Sequence, residues 1–386
     1  MKVTIIGKYP PIFGGESTKL YWASKELGER GHRINIITDA WERHSKADLN
    51  IEDLEYIQPK NVKLHSTNML NLQDYEKTFL TERLSDLACR SINEEGADIL
   101  IGWYHLPYGS ATSIVSRFSN TPYVLQHAGS DMKKFFSSQN LMSHMMNQFA
   151  NANGIMSYPS YERTFRRFNK NVFIHNPRLN ISGLEDCPDY DFGEALQDKQ
   201  KITFLGKLEM QKGVHDLLSA YIKLDRKDVA LLYVGEGNEK EVLEKRVREK
   251  ELDNVHFRKP IPPWKVPGLI RASDVYFVGE RDFYVEKHFS RKPMEALACQ
   301  TPLIVSPEVK RKGIYIPLQH GIHCLEIYPR NTDELVEGIE KLLDDKNYAE
   351  SMTKRGYEFA LEKNQGFREY ITGLETFLKN ISHKET

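Results

Sequence analysis

The chain opens with the strand-and-loop unit Lys2-Val3-Thr4-Ile5-Ile6-Gly7-Lys8-Tyr9-Pro10-Pro11-Ile12-Phe13-Gly14-Gly15. Its apolar run is too short for a signal peptide, and Pro10-Pro11 would break any helix through it, so the run predicts a buried strand. A helical pattern begins at about Ser17, directly after the two glycines. Exposed amides at a helix start attract anions. The Gly14-Gly15 turn is therefore predicted either to bind an anion or simply to connect strand and helix.

The same alternation of short aliphatic runs and longer helical patterns continues along the chain in two series. The strands predicted in the first series are residues 3–7, 33–38, 98–102, 122–126, 154–157 and 172–175. Those predicted in the second series are residues 201–206, 230–235, 255–257, 274–278 and 302–306. Helical patterns separate the strands, for example over 18–30 and 78–93, and over 213–224 and 238–250. Such alternation indicates βαβ units, so the predicted fold class is α/β with two doubly wound, Rossmann-like domains.

The domain boundaries follow from length and local composition. A chain of 386 residues exceeds the size at which a single hydrophobic core stops growing. Between the two series, residues 177–201 are rich in Pro, Gly and Asp and lack a helical period, which indicates a linker. We predict a first domain over 1–178, a linker over 179–200 and a second domain over 201–365. The segment 366–386 is predicted to form a helix that packs back on the first domain.

Overall composition excludes several classes of protein. The 53 Lys and Arg residues balance 54 Asp and Glu residues, so bulk charge does not indicate a nucleic-acid partner. The four cysteines are far apart and show no metal-ligand spacing, as expected for reduced thiols in the cytoplasm. No window approaches the roughly 20 apolar residues that span a bilayer. A cytoplasmic protein without a bound metal is therefore expected.

The second series contains its own candidate anion-binding loop, Gly206-Lys207-Leu208-Glu209-Met210-Gln211-Lys212-Gly213, between a strand and a helix. Ammonium groups, free amides and the helix dipole all favour an anion here, which suits a diphosphate. Two lysines in a loop can equally be ordinary solvated charges. The G-x-G-x-x-G fingerprint of dinucleotide-binding proteins is absent, which argues against an oxidoreductase and leaves Asp39 as an ordinary loop acid.

A series of motifs in a fixed order carries a family resemblance. In the first half they are Pro10-Pro11-Ile12-Phe13-Gly14-Gly15, Arg30-Gly31-His32 and His127-Ala128-Gly129-Ser130-Asp131. In the second half they are His175-Asn176-Pro177, Gly206-Lys207-Leu208 with Lys212-Gly213, Tyr233-Val234-Gly235-Glu236-Gly237, Ala272-Ser273-Asp274-Val275-Tyr276-Phe277-Val278 and Pro293-Met294-Glu295-Ala296-Leu297. In this order the chain resembles glycosyltransferase family 4, a retaining group with the GT-B fold.

The chain departs from the family pattern at the E-x7-E element. Glu295 matches the second glutamate, and Phe289 matches the phenylalanine of the family's Gly-Phe-Gly. Eight positions before Glu295 stands Lys287, with Glu286 one place away. Because an ammonium group only donates hydrogen bonds, it cannot make the contact of a glutamate with sugar hydroxyls. Glu286 could take that role, Lys287 could bind an acceptor atom of an acidic or acceptor-rich donor, or catalysis could be lost.

The resemblance implies two domains facing a cleft, with the acceptor mainly on the first and a nucleotide-sugar donor mainly on the second. It implies retention of configuration, with no metal and no other cofactor. Lys207, Lys212 and the amides of Gly14 and Gly15 would stabilise the leaving diphosphate. His127 would contact the donor sugar, or would be a core histidine. The remaining expected donor-binding residues are Gly206, Gly235, Phe289 and Glu295, the last of these at the ribose.

Three questions stay open: the activity, the acceptor and the role of residues 133–146. The chain could be a catalytically degenerate subunit that only binds a partner or nucleotide, or a GT-B epimerase or phosphorylase. The acceptor could be a sugar, a lipid-linked molecule or a small molecule. Residues 133–146, which begin with Lys133-Lys134-Phe135-Phe136 and end in a Met-rich stretch, could contact a membrane surface or could line the core or acceptor cleft.

Overall fold

The computed structural model describes residues 1–12, 14–39, 58–67, 79–132, 138–175, 178–282 and 290–383. The chain divides into two compact units. Unit 1 consists of Met1–Pro177 together with Gly366–Thr386, and unit 2 consists of Arg178–Gln365.

Unit 1 is built on a parallel sheet of seven described strands in the order β3-β2-β1-β4-β5-β6-β7. The strands are β1 Lys2–Gly7, β2 Arg33–Thr38, β3 Val62–Ser66, β4 Ile99–Trp103, β5 Tyr123–Gln126, β6 Gly154–Ser157 and β7 Val172–Ile174. Its described α-helices are Gly15–Glu29, Leu80–Glu95, Ser110–Ser119, Gly129–Asp131, Gln139–Asn151, Glu162–Phe165 and Phe367–Ser382. The order of strands reverses between β1 and β4, which is where ligands bind in doubly wound sheets.

The first strand owes its place at the centre of unit 1 to its β-branched side chains. Val3, Ile5 and Ile6 are buried, and β1 pairs with β2 on one side and with β4 on the other. Along a strand that is covered on both faces, apolar and polar side chains do not alternate, because both faces pack against helices. The near-continuous apolar run of the sequence therefore corresponds to a central strand.

The last helix, Phe367–Ser382, belongs to unit 1. It buries a stripe of apolar side chains at helical spacing: Ile371, Leu374, Leu378 and Ile381. On its polar side, Glu375 lies 3.5 Å from Arg30 and 3.2 Å from the ring of His32. The C-terminal segment thus completes the unit in which the chain began.

Unit 2 has a parallel sheet of six described strands in the order β10-β9-β8-β11-β12-β13. The strands are β8 Gln200–Leu205, β9 Val229–Val234, β10 Val255–Arg258, β11 Val275–Val278, β12 Leu303–Val305 and β13 Leu325–Glu326. Its described α-helices are Ile181–Glu185, Val214–Leu224, Lys240–Glu249, Val266–Arg271, Lys292–Ala298, Pro307–Lys310, Thr332–Asp344 and Lys346–Asn364. The order of strands reverses between β8 and β11, so both units are doubly wound, as the sequence predicted.

Two edge strands, β3 and β13, were not among the predicted strands. β3 is Val62-Lys63-Leu64-His65-Ser66, which alternates charged with apolar residues and pairs only with β2 among the described strands. β13 has only two residues. Such strands carry little hydrophobic signal of their own, because only their pairing to a neighbouring strand defines them.

Residues 179–200, predicted as a linker, are a folded part of unit 2. Asn180 caps the short helix Ile181–Glu185 by accepting a hydrogen bond from the backbone N–H of Gly183. Arg271 donates to the carbonyl oxygen of Leu184 over 2.9 Å, which ties this segment to the helix Val266–Arg271. The Pro- and Asp-rich composition revealed neither the short helix Ile181–Glu185 nor the tertiary contacts that hold this segment.

In the part of the chain with described coordinates, no helix is both long and apolar enough to cross a membrane.

Candidate functional site

The candidate anion site of unit 2 lies at the carboxyl ends of β8 and β11, which are neighbours in the sheet. β8 leads into Gly206 and the loop with Lys207 and Lys212, and β11 leads into Gly279 and Glu280. The sequence predicted the first of these loops. The reversal of strand order at the same two strands explains why a ligand can reach the space between them.

Backbone segments approach each other at this switch point more closely than side chains would allow. A Cβ atom on Gly235 would lie 1.9 Å from the carbonyl oxygen of Gly206. Gly213, with φ of 72°, would place a Cβ atom 2.4 Å from the carbonyl oxygen of Gly279. Both distances are far below van der Waals contact, so glycine is required at 213 and 235. These glycines shape the loops around the site by letting the backbones meet.

Two lysines from different loops share one buried carboxylate. Lys212 donates to Glu280 Oε1 over 2.7 Å, and Lys312 donates to Glu280 Oε2 over 2.7 Å. Glu280 is 2% exposed, and Lys312 lies 3.3 Å from Glu308 as well. A buried carboxylate needs such partners because desolvation of an isolated charge is costly. Glu280 therefore holds two cations at the end of β11.

A third lysine and a second glutamate complete this cluster. Lys292 begins the helix Lys292–Ala298, and Glu295 lies one turn further on, buried and 3.5 Å from Arg291. Burial, with the Lys212 charge, lowers the pKa of Lys292 to about 8, although Glu295 and Glu280 act in the opposite direction. We call Lys212, Glu280, Lys292, Glu295 and Lys312 the switch-point cluster.

Lys207 is less closely held than Lys212. Its side chain is 60% exposed, and its ammonium lies 3.7 Å from Glu209. Such an exposed pair is worth little to stability. Lys207 is therefore available at the surface of the loop, whereas Lys212 is built into the cluster. Glu286, Lys287 and Phe289, which the sequence placed at the donor sugar, lie outside the described residues.

In unit 1, the predicted turn lies at the start of the helix Gly15–Glu29. Gly14 has φ of 138°, and a Cβ atom added to Gly14 or to Gly15 would meet no heavy atom within 4 Å. One turn into the helix, Lys19 donates to Glu16 over 2.6 Å and to the hydroxyl of Tyr158 over 3.2 Å. Burial disfavours the Lys19 cation, but Glu16 and Tyr158 outweigh it and raise its pKa. A charged pair thus follows the glycine turn.

His127 is fully buried in unit 1, which favours the core-histidine alternative over contact with a sugar. Its Nε2 lies 2.9 Å from the hydroxyl of Ser157, and its Nδ1 lies 3.2 Å from the carbonyl oxygen of Ala128. Rings of Tyr158, Tyr161 and Phe165 surround it. Since both ring nitrogens have protein partners, the imidazole is a packed and satisfied core group. The sequence could not separate these roles because both place a histidine at the end of a strand.

Asp131 is likewise enclosed, and its carboxylate caps the start of the short helix Gly129–Asp131. Its Oδ2 accepts hydrogen bonds from the backbone N–H groups of Ala128 over 3.0 Å and His105 over 3.1 Å. Burial raises the pKa of Asp131 to about 7 despite these two hydrogen bonds. The Met-rich stretch that follows is partly core, since Met145 and Phe149 are fully buried. Lys133-Lys134-Phe135-Phe136 lies outside the described residues.

The burial of His127 makes a prediction for stability against pH. Burial lowers its pKa to about 4, below the value of 6.5 of an unfolded histidine. The contribution of the neutral His127 imidazole to the free energy of unfolding is therefore complete above pH 6.5. It is lost as pH falls towards 4, because the histidine of the unfolded chain binds a proton at higher pH than the buried one does. The stability difference between the parent and His127→Gln should shrink by about 3 kcal/mol between pH 7 and pH 4, at 1.36 kcal/mol per pKa unit.

Urea unfolding at several pH values measures this difference. His383→Gln is the control, because that histidine is exposed at the end of the last helix. A difference between parent and His127→Gln that does not change with pH would contradict the assignment of a buried, neutral imidazole.

Several residues near the two candidate loops, each described within its own unit, were missed by the sequence. They are Lys19 and Tyr158 in unit 1 and Glu280, Lys292 and Lys312 in unit 2. Glu280 had a usable signal, since it is a charged residue directly after the apolar strand Val275–Val278. Lys292 and Lys312 had none, because only the folding of three separate loops brings them together. Among the described residues, no group of three His, Cys, Asp or Glu side chains could hold a metal ion.

Solved structures have the same fold as this chain. The chain is similar to Anabaena HepE in complex with UDP-glucose, with a TM-score of 0.68, 15% identity and 99% of both chains covered. It is also similar to sucrose-phosphate synthase from Thermosynechococcus elongatus, with a TM-score of 0.67, 17% identity and 98% of both chains covered. Two Rossmann-like parallel sheets with this match define the GT-B fold, which confirms the predicted fold class.

The match to a family of protein sequences lies in unit 2. Residues 189–359 match the family Glycosyl transferases group 1, and this range includes the whole switch-point cluster. An uncharacterized glycosyltransferase of Methanocaldococcus jannaschii, MJ1069, is 26% identical over 182 residues, which are 46% of this chain and 45% of that protein. The chain spans about half the length of the curated relatives it matches.

Proposed function

We propose that the protein is a glycosyltransferase that moves a sugar from a nucleoside-diphosphate sugar to an acceptor hydroxyl with retention of configuration. One observation carries the proposal: Lys212 and its neighbouring lysines lie at the switch point of a domain that matches Glycosyl transferases group 1. Parallel sheets of this kind bind nucleotides at that point, and a diphosphate needs cations there.

In this reaction the bond between the sugar's anomeric carbon and the diphosphate oxygen breaks, and the acceptor oxygen forms the new bond on the same face. The acceptor's proton passes to the departing diphosphate. The protein then has to position the two substrates and stabilise the negative charge that develops on the leaving group. Lysines can supply this charge stabilisation, so the proposed mechanism requires no metal ion.

The donor is proposed to be a uridine diphosphate sugar in the first instance, because HepE is known in complex with UDP-glucose. Thermal unfolding in the presence of UDP-, ADP-, GDP- and dTDP-sugars tests this choice. A ligand at about 100 times its dissociation constant adds about 2.7 kcal/mol of stability if it binds only the folded protein. Stabilisation by another base and not by uridine would reassign the donor while leaving the reaction class unchanged.

The decisive experiment incubates purified protein and the stabilising donor with and without a panel of sugar, lipid-linked and small-molecule acceptors. A transferase forms product only when an acceptor is added, apart from slow donor hydrolysis. An altered donor sugar without any acceptor would indicate the epimerase alternative, and no turnover at all would indicate a degenerate binding subunit. The anomeric proton coupling of the product reports retention or inversion.

Lys207 and Lys212 should differ in their effects on donor binding. Lys207 is exposed, and its ammonium group lies 3.7 Å from Glu209. Lys207→Ala should therefore weaken UDP binding by about threefold to tenfold, which is less than the effect expected of Lys212→Ala. Lys207→Arg should bind as well as the parent or better, because a guanidinium group can grip phosphate with two hydrogen bonds. Titration calorimetry measures both. Equal affinity in the parent and Lys207→Ala would remove Lys207 from the site.

A further inference from the structure

The proposed function uses Lys207 and Lys212, yet the switch-point cluster contains a lysine that neither the sequence pattern nor the proposed mechanism assigns. Lys292 is the first residue of the helix Lys292–Ala298 and lies beside the end of β8. A Cβ atom on Gly206 would be 3.4 Å from Lys292 Cε and 3.7 Å from its Nζ. The lysine side chain therefore runs along the bare backbone of Gly206, at the start of the candidate diphosphate loop.

The ionic contacts of the cluster separate Lys292 from the other two lysines. Lys212 and Lys312 each donate to Glu280 over 2.7 Å, and Lys312 also lies 3.3 Å from Glu308, so two carboxylates balance these two ammonium groups. The carboxylate of Glu295 lies 3.5 Å from Arg291. Among the residues with described positions, Lys292 makes no hydrogen bond or ion pair, although Glu295 and Glu280 are near enough to act on it electrostatically.

Lys292 is half-buried. An ammonium group that is partly removed from water without a close counter-ion is costly, and proteins keep such groups mainly where a ligand supplies the missing charge. The ligand would have to be an anion that lies beside Gly206 and within reach of Lys212. A diphosphate group meets both requirements, since it carries negative charge over two linked phosphates and accepts several hydrogen bonds.

We propose that Lys292 is a direct ligand of the diphosphate of the donor and of the leaving nucleoside diphosphate. The inference rests on the proposed function, because it assigns a further residue to the same reaction. Lys292 supplies the one ammonium group that the described part of the cluster leaves unbalanced, while Glu280 keeps Lys212 and Lys312 in position next to it.

The charge of Lys292 should make binding depend on pH. The groups that act on it are Glu295 on its own helix, Lys212 after β8 and Glu280 after β11, and burial together with Lys212 brings its pKa to about 8. The ammonium is charged below this value and is lost as pH rises through it. Between pH 7 and pH 9 the charged fraction falls from roughly nine-tenths to one-tenth, so affinity for a diphosphate should fall about tenfold.

The experiment compares the full-length parent with Lys292→Met, Lys292→Arg and the control Lys245→Met by calorimetry with UDP and with inorganic pyrophosphate at pH 7, 8 and 9. Lys245 is an exposed lysine on the helix Lys240–Glu249, outside the cluster. We expect Lys292→Met to bind both probes at least tenfold more weakly at pH 7. Lys292→Arg should bind with little change across this pH range, because arginine stays charged.

Thermal unfolding of the same variants separates a ligand from a structural lysine. Lys292→Met removes a half-buried charge that no residue with described coordinates pairs, so it should unfold at the same temperature as the parent or higher. A variant that unfolds earlier yet binds UDP and pyrophosphate like the parent would overturn the inference and leave the proposed function intact. A parent that binds neither probe, nor ADP or GDP, would overturn both.

Discussion

Lys212→Ala is expected to weaken binding of a nucleoside diphosphate by roughly 10- to 100-fold. In the proposed function the lysine makes a charge-assisted contact with the phosphates, and such contacts are worth about 1.5–3 kcal/mol, where 1.4 kcal/mol is tenfold in affinity. The fold should survive the change, because Glu280 keeps its second partner, Lys312, at 2.7 Å. Calorimetric titration with UDP measures the affinity, and thermal unfolding checks the fold.

The control for Lys212→Ala is Lys245→Ala, which removes the same charge from an exposed position outside the cluster. Lys212→Arg adds a second comparison, since it keeps the charge but changes the geometry of donation. If Lys212→Ala and Lys245→Ala bind UDP equally well, Lys212 serves only as the partner of Glu280. The diphosphate assignment of this loop would then have to be abandoned.

Gly235→Ala is expected to destabilise unit 2 by about 3 kcal/mol or more, at the upper end of what single substitutions do. The new methyl group would lie 1.9 Å from the carbonyl oxygen of Gly206, and φ of 146° is itself unfavourable for a residue with a Cβ atom. Neither backbone can yield easily, since both follow central strands of the sheet. The loop after β8 would be displaced, so diphosphate binding should fall together with stability.

Gly193→Ala is a matched control, because Gly193 also lies in unit 2 and has φ of 81°, but nothing stands within 4 Å of its missing side chain. It therefore measures backbone strain alone, which is about 1–3 kcal/mol for a residue with a Cβ atom at φ of 81° and ψ of 160°. The difference between the two variants in urea unfolding isolates the steric clash. Similar destabilisation by both substitutions would mean that the loops after β8 and β9 do not approach each other this closely.

Much of the fold could be predicted from the sequence because central strands and amphipathic helices carry their own patterns. β2 and β6 were predicted over the same residues that form them, 33–38 and 154–157. The edge strands β3 and β13 were missed, since their short and mixed sequences become strands only by pairing with β2 and β12. Local pattern is strong where a strand is buried on both faces and weak at a sheet edge.

The candidate functional residues likewise include some that local sequence patterns predicted and some whose surroundings only the folded structure defines. The loop with Gly206, Lys212 and Gly213 was predicted from its lysines and glycines between a strand and a helix, whereas Gly235 was singled out only by the family resemblance. For His127 the sequence left both contact with a sugar and a core role open, because strand position does not reveal whether a side chain points to solvent or into the core. Burial and the contact with Ser157 are properties of packing between distant segments.

The sequence by itself determined the α/β class, the two sheets and the loop in which Lys212 stands, because hydrophobic period, glycine turns and lysine spacing are local properties of the chain. Only the tertiary structure decided which charges meet. Glu280, Lys292 and Lys312 come from three separate loops, and Glu280 joins Lys212 to Lys312 although the two lysines are far apart in the sequence. Electrostatic energy depends on distance and burial, and neither exists until the strands have assembled.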